Sequence, residues 1–265
     1  MPPAIEVSHL VKRFNGLTAV DDLSFAVETG ELFGFLGPNG AGKTTTISIL
    51  CTLLAPTSGG AAVAGFDCGS QSRQVRQSIG IIFQDPSLDE RLTAWENLEF
   101  HGLIYHMGSV ERRRRMEEVL RLVELWDRRH DIVKIFSGGM KRRLEVARGL
   151  MHQPKVLFLD EPTIGLDPQT RHRTWETLER LRADVRMTFF LTTHSMEEAS
   201  QCDRVAIIDH GRLLALDRPQ ELVAKHKAKN LEEVFLGLTG RGLRDEIVTE
   251  AETMRSTVRR LRRWR

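Results

Sequence analysis

The 265-residue chain carries a formal net charge of only +2, with 41% hydrophobic and 28% charged residues; this ordinary globular composition gives no global electrostatic reason to expect a nucleic-acid partner. Cys51, Cys68 and Cys202 are odd in number and far apart, which argues against a disulfide framework or a zinc site and fits a reducing cytosol. No run of about eighteen apolar residues occurs, and Met1-Pro2-Pro3-Ala4 has no signal-peptide core, so the chain is not expected to cross a membrane by itself.

Ile5 to Phe14, Thr18 to Val27 and Glu31 to Leu36 read as strands, separated by turns at Asn15-Gly16 and Thr29-Gly30. The third runs into Gly37-Pro38-Asn39-Gly40-Ala41-Gly42-Lys43-Thr44-Thr45, which fits the phosphate-binding pattern G-x-x-x-x-G-K-[ST]. Thr44 to Leu54 comes next as a helix with Ile47, Leu50, Leu53 and Leu54 on one side, completing the strand–loop–helix context the motif requires. Its glycines let backbone N–H groups turn toward phosphate oxygens at a helix N-terminus. In that pattern Lys43 reaches the β- and γ-phosphates and the Thr44 hydroxyl takes a place on Mg²⁺.

After Ser58-Gly59-Gly60, Ala61 to Phe66 reads as a strand, and Ile79 to Phe83 as another that ends at Gln84. A helical stretch runs from about Ala94 to Met151, in which Met116, Val119, Leu120, Val123 and Trp126 recur at helical spacing and predict one buried face. The run Arg112 to Arg115 reads as a solvated face. Ser137-Gly138-Gly139 precedes a helix whose Leu144, Ala147, Leu150 and Met151 share a side; it offers either a simple N-cap or an anion-binding helix end. From Val156 strand and helix alternate: strands at Val156 to Leu159, Met187 to Thr192, Arg204 to Asp209 and Arg212 to Leu216, with helices at Gln169 to Ala183 and Met196 to Gln201. That alternation predicts an α/β fold with a mostly parallel sheet. Asp160 and Glu161 close the apolar strand Val156 to Leu159, where carboxylates face a ligand crevice. Asp160 is suited to Mg²⁺, and Glu161 to polarising an attacking water.

The joint occurrence of these motifs resembles the ATP-binding subunit of an ATP-binding cassette (ABC) transporter over roughly residues 4 to 225. The family's parts stand in order: phosphate loop at Gly37 to Thr45, Q-loop at Gln84, signature at Phe136 to Met140, acidic strand at Val156 to Asp160 with Glu161. Ile164-Gly165-Leu166-Asp167 matches the D-loop, and His194 the switch histidine. The resemblance implies a P-loop NTPase of the ABC ATPase type, with a mostly parallel core sheet, an antiparallel β subdomain and an inserted α-helical subdomain at about 85–151. Residues 4–228 would form the ATP-binding domain, and 229–265 a C-terminal extension with a basic tail.

The resemblance also implies roles. ATP and Mg²⁺ would be the cofactors, with Phe14 stacking on adenine and Thr44, Gln84 and Asp160 around the metal. Glu161, Gln84 and His194 would be catalytic. Two subunits, expected to be identical, would face each other head to tail, so that Ser137, Gly138 and Gly139 of one meet the γ-phosphate held by Lys43 of the other; Asp167 would act across the same seam. Taken alone, Phe14 could be core, Gln84 a polar strand end, His194 a structural histidine and Asp167 a helix N-cap. The signature departs from the commonest form: Phe136 stands for leucine and Met140 for glutamine, while Ser-Gly-Gly is intact.

A separate multi-span permease is the implied membrane partner, putting the chain at the cytoplasmic face of the membrane. The segment Asp85 to Leu98, with Leu88, Leu92 and Trp95, is expected either to offer a groove to that partner or to pack the helical insert's own core. Asn230 to Gly240 resembles the tail of daunorubicin-resistance type exporters, which implies export of a hydrophobic drug or lipid-like compound. The basic stretch Arg255 to Arg265 reads as a solvated tail. The alternative is a soluble ABC-type ATPase acting on ribosomes or DNA. Against it stand the single nucleotide unit and the short separation of Gly42 from Ser137, which leaves no room for a long coiled coil.

Overall fold

Strand order, rather than strand content, defines this molecule, seen here in a computed structural model that describes residues 2–83, 87–163, 168–184 and 187–240. β1 (Ile5–Phe14), β2 (Leu17–Val27), β4 (Ser58–Val63) and β5 (Phe66–Asp67) form an antiparallel sheet in the order β2-β1-β4-β5. A second sheet takes β3 (Leu32–Leu36), β6 (Ile79–Ile82), β7 (Val156–Asp160), β8 (Thr188–Thr193), β9 (Arg204–Asp209) and β10 (Arg212–Asp217) in the order β10-β9-β3-β8-β7-β6. Every pairing in it is parallel except the β9–β10 hairpin. The expected mostly parallel core and antiparallel subdomain are both present.

Because successive side chains of a strand point to opposite faces, each central strand feeds two cores. Leu32 and Leu36 of β3, with Leu157, Leu159, Phe189 and Leu191, pack toward the helices. Phe33 and Phe35, with Val156, Phe158 and Phe190, pack against the antiparallel sheet. Burial on both faces is why these strands read as nearly unbroken apolar runs. Phe25, Phe33, Phe35, Phe158 and Phe190 form a continuous aromatic cluster with centroid separations of 5.3 to 6.1 Å.

The expected single helical stretch is three helices: α3 (Ala94–Ile104), α4 (Ser109–Leu122) and α5 (Gly138–Leu150), with 3-10 turns at Trp126–Arg128 and Val133–Ile135. A capping box at Thr93 and Glu96 starts α3. Met116, Val119, Leu120 and Val123 are buried as the spacing predicts, while Trp126 is half-buried against Trp95 and Arg129. The remaining helices are α1 (Lys43–Leu50), α2 (Ser72–Ser78), α6 (Pro168–Asp184), α7 (Met196–Ser200), α8 (Pro219–Lys225) and α9 (Leu231–Thr239). Leu231, Val234 and Phe235 bury one side of α9 in the same core as the helical insert.

Three further sequence expectations need correction. α1 ends at Leu50, so Leu53 is exposed rather than on its buried face. The strand expected at Ala61 to Phe66 begins at Ser58 and is broken by a turn at Ala64 and Gly65 into β4 and β5. Gly59 lies inside β4 because a Cβ there would sit 2.0 Å from the His9 carbonyl of β1. Arg112 and Arg115 are not solvated. The first sits 3.6 Å from Glu99, and the second bonds the Leu150 and Met151 carbonyls at the end of α5, leaving only Arg113 and Arg114 outward.

Phe190 lies fully buried against Phe25, Phe33, Phe35 and Phe158 of that cluster. Phe190→Ala is expected to cost about 3–5 kcal/mol, read from denaturant unfolding; a loss under about 1 kcal/mol would contradict this placement.

Candidate nucleotide site

Three adjacent parallel strands deliver the site's parts. In register, Leu36 of β3 lies opposite Thr193 of β8, and Asp160 of β7 opposite Thr192. The next residues out of the sheet are therefore Gly37, His194 and Glu161, side by side at the C-terminal edge where α/β sheets bind ligands. Gly37 is required there: a Cβ would lie 2.6 Å from the Ile208 carbonyl. Gly42 has φ of 101° and faces the Ala19 carbonyl at 2.4 Å from a notional Cβ, so only glycine fits. Asn39, Gly40 and Thr44 are exposed, Thr45 is half-buried, and Pro38 and Ala41 are buried.

Lys43 is buried at the first turn of α1. Its ammonium donates to the carbonyls of Gly37 at 2.6 Å and Pro38 at 3.1 Å and lies 3.5 Å from Glu161 Oε1. His194 Nδ1 lies 3.4 Å from the same carboxylate oxygen, an ion-pair distance without hydrogen-bond alignment. Burial opposes ionisation of Glu161, but the contact with His194 and the charge of Lys43 outweigh it and hold the carboxyl below its ordinary range. The same contact pushes the His194 imidazole up against the effect of burial. Glu161 has φ of 45°, and its N–H points back to the Thr192 carbonyl at 3.1 Å, so the backbone turns sharply to present the side chain. Asp160 is buried and accepts from the Thr192 hydroxyl; burial pushes its carboxyl up despite that bond. A carboxylate and the Thr44 hydroxyl supply hard oxygen donors of the type Mg²⁺ takes.

The remaining predicted residues lie elsewhere. Phe14 ends β1 with its ring 42% exposed and the Lys12 ammonium 5.0 Å from its centroid, so the core reading does not hold. Ser137 and Gly138 are exposed and Gly139 half-buried at the start of α5, where the Ser137 hydroxyl accepts from the Met140 N–H at 3.2 Å. The simple cap is thus real, and the hydroxyl proton stays available to donate. α5 packs on β6, α3, α4 and α6, whereas α1 packs on β2, β4 and β7. Phosphate loop and signature therefore belong to different walls of one chain. Gln84, Asp167 and the tail 241–265 lie outside the described residues.

Sequence reasoning missed several supporting groups. Arg142, buried on α5, donates to the carbonyls of Phe83 at 2.6 Å and Pro162 at 2.8 Å and pairs with fully buried Glu145 at 3.0 Å. Glu145 also accepts from the Ser87 N–H at 2.8 Å. Both flanks of residues 84–86 are thereby tied to the signature helix. The only sequence signal was a charge pair three apart on a helix, which reads as surface. Thr192 and Glu198 were passed over as a strand former and a helix-start acid.

A phosphate loop, a buried aspartate and a glutamate–histidine pair on neighbouring parallel strands define a P-loop nucleotide hydrolase. Comparison with known proteins gives the family. The family model described as ABC transporter matches residues 20–164. The chain is 46% identical over 220 residues to the daunorubicin/doxorubicin resistance ATP-binding protein of Streptomyces peucetius, covering 83% of this chain and 66% of that protein. It is 41% identical over 222 residues to the linearmycin resistance ATP-binding protein of Bacillus subtilis, covering 83% and 71%. Among solved structures, a dimeric ATP-binding cassette in a post-hydrolysis state with ADP and Pi matches with a TM-score of 0.73 at 26% identity, over 81% of this chain and 98% of that one. The chain belongs to the ABC transporter family and is an ATPase of that family.

The charge coupling has a testable pH dependence. Glu161, held below its ordinary value of 4.5, contributes stability above that pH and loses it as pH falls through its folded pKa. His194, raised above its ordinary 6.5, contributes fully below 6.5 and loses it as pH rises through its folded pKa. The stability cost of His194→Ala, under about 1 kcal/mol because the imidazole is 39% exposed, is expected to be largest between those two values. Unfolding curves at several pH values check this; a cost that does not change with pH would contradict it.

Proposed function

We propose that this chain binds ATP with Mg²⁺, hydrolyses it at a seam between two copies, and powers a separate membrane permease that exports a hydrophobic drug or lipid-like compound. The observation that carries the reading is the convergence of Lys43, Asp160, Glu161 and His194 at one strand edge. In this reading residues 4–228 form the ATP-binding unit and 229–265 its extension.

The loop N–H groups and Lys43 neutralise the phosphates, with Phe14 against the adenine. Asp160 and Thr44 hold Mg²⁺ (Gln84 being its third expected ligand), which when bound offsets charge on the β- and γ-phosphates. Glu161, kept ionised by Lys43 and His194, orients the attacking water, and His194 contacts the γ-phosphate. Phosphoryl transfer needs mainly such positioning and charge neutralisation. The exposed Ser137 and Gly138, with Gly139, complete the site from the second copy, and Asp167 acts at the same seam. The dimeric state of the post-hydrolysis cassette supports this arrangement. ATP then favours the closed pair and hydrolysis its opening, a two-state element biased by ligand.

Two drug-resistance relatives above 40% identity support export of that kind. Among the described residues no helix is long and apolar enough to cross a membrane, so a peripheral position at the cytoplasmic face through a permease fits. Of the two readings of the segment around Leu88 and Trp95, packing of the helical insert's own core is the one that fits, since both lie against it. Phe100, Leu103 and Ile104 on α3 are instead exposed, at 61%, 52% and 56%. A cytoplasmic helix of the permease is a partner suited to this apolar face.

Glu161→Gln is expected to lower kcat by about 10²- to 10⁴-fold while ATP affinity stays within a few-fold; near-normal turnover would refute the assignment. Lys43→Ala should weaken ATP binding about 10- to 100-fold, read with a fluorescent ATP analogue. Phe100→Glu with Leu103→Glu should abolish co-purification with the cognate permease while leaving the ATPase of the isolated chain intact. Retained co-purification would rule out this docking face.

A further inference from the structure

We propose that Glu198 is a positioning residue that fixes His194 and the segment after Glu161 relative to each other. The proposal rests on the catalytic reading above. Glu198 is 2% exposed, and the hydroxyls of Thr163 and Thr193, themselves buried, donate one to each of its carboxylate oxygens. Thr163 stands two residues after Glu161, and Thr193 immediately precedes His194. A single side chain therefore spans the two backbone segments that present the catalytic pair.

The span continues into a closed ring around His194. Thr193 Oγ1 accepts from the Ser195 N–H at 2.8 Å, so its one proton goes to Glu198 Oε2 at 2.5 Å. Ser195 caps α7, its hydroxyl receiving the Glu198 N–H at 3.5 Å and its carbonyl the Ala199 N–H at 3.0 Å. His194 is thereby flanked on both sides by residues tied to Glu198. Each of the two carboxyl oxygens has lone pairs to accept one hydroxyl, so one side chain takes both donors. On the other segment, the Pro162 carbonyl is held by Arg142 from α5, so the strap is anchored at the signature helix too.

The test uses the full-length chain and separates geometry from folding. Thr193→Val removes the bridging hydroxyl at nearly constant volume and is expected to lower kcat about ten-fold, with the affinity for a fluorescent ATP analogue within two-fold. Thr193→Ser keeps the hydroxyl and should stay within two-fold of the parent kcat. Adding Thr193→Val to Glu198→Met, whose side chain offers no strong acceptor, should cost less than a further two-fold, because the bridge is already broken. Equal kcat in the valine and serine variants, a parallel loss of nucleotide affinity, or a full ten-fold additional loss in the double variant would overturn the proposal. Glu161→Gln run alongside keeps the two failures apart. If it retains turnover, the catalytic reading falls; if it is inactive while the valine and serine variants behave alike, only the role of Glu198 falls.

Discussion

Side-by-side parallel pairing of β3, β8 and β7 is the constraint on which the site depends. With neighbouring strands about 4.8 Å apart, the register sets Leu36 against Thr193 and Asp160 against Thr192 and leaves little freedom to the residues that exit the sheet. The phosphate loop, His194 and Glu161 must emerge together. Lys43, folded back on the loop carbonyls, then reaches Glu161 from the other side. The Lys43 ammonium and the His194 imidazole, 3.5 and 3.4 Å from one oxygen of Glu161, together favour its ionised form, with no directed bond between imidazole and carboxylate. Such a cluster can exchange its internal partners for phosphate and water.

Burial on both faces keeps that edge in place. One core clamps the strands to the antiparallel sheet through a phenylalanine cluster, and the other to the helical insert. The insert is joined to the site by charged groups as well as by apolar contact. Arg142 and Glu145 on α5 hold Phe83, Ser87 and Pro162, so a movement of the signature helix pulls on both the segment leaving β6 and the one leaving β7. Buried charged pairs of this kind do little for stability when compared with apolar packing, but they fix geometry where one partner cannot move alone.

Much of the site was legible because its chemistry is local. The spacing of Gly37, Gly42, Lys43 and Thr44, and the apolar run ending in Asp160 and Glu161, each encode a strand end and a ligand type within a few residues. The resemblance supplied what local spacing cannot, such as the membership of His194 in the same site as Glu161. What stayed hidden is tertiary. Sequence alone leaves Leu88 and Trp95 between a partner groove and the insert's own core, and only the packing decides for the core, while Phe100, Leu103 and Ile104 on α3 remain open. Gly59 stands outside the expected strand because sequence does not reveal the close approach of β1 that its missing side chain allows. Glu198 looked like an ordinary acid at a helix start, since its two hydroxyl partners are distant or contributed by a strand.

The exposed Ser137 and Gly138 and the buried Lys43 stand on separate walls of the chain, and the account requires a second copy to bring them together across nucleotide. Light scattering on the Glu161→Gln protein with saturating ATP and magnesium tests this most directly. The account predicts that the 30.1 kDa chain shifts to about twice its mass and returns to the monomer when nucleotide is removed. A mass that stays at one chain would contradict it.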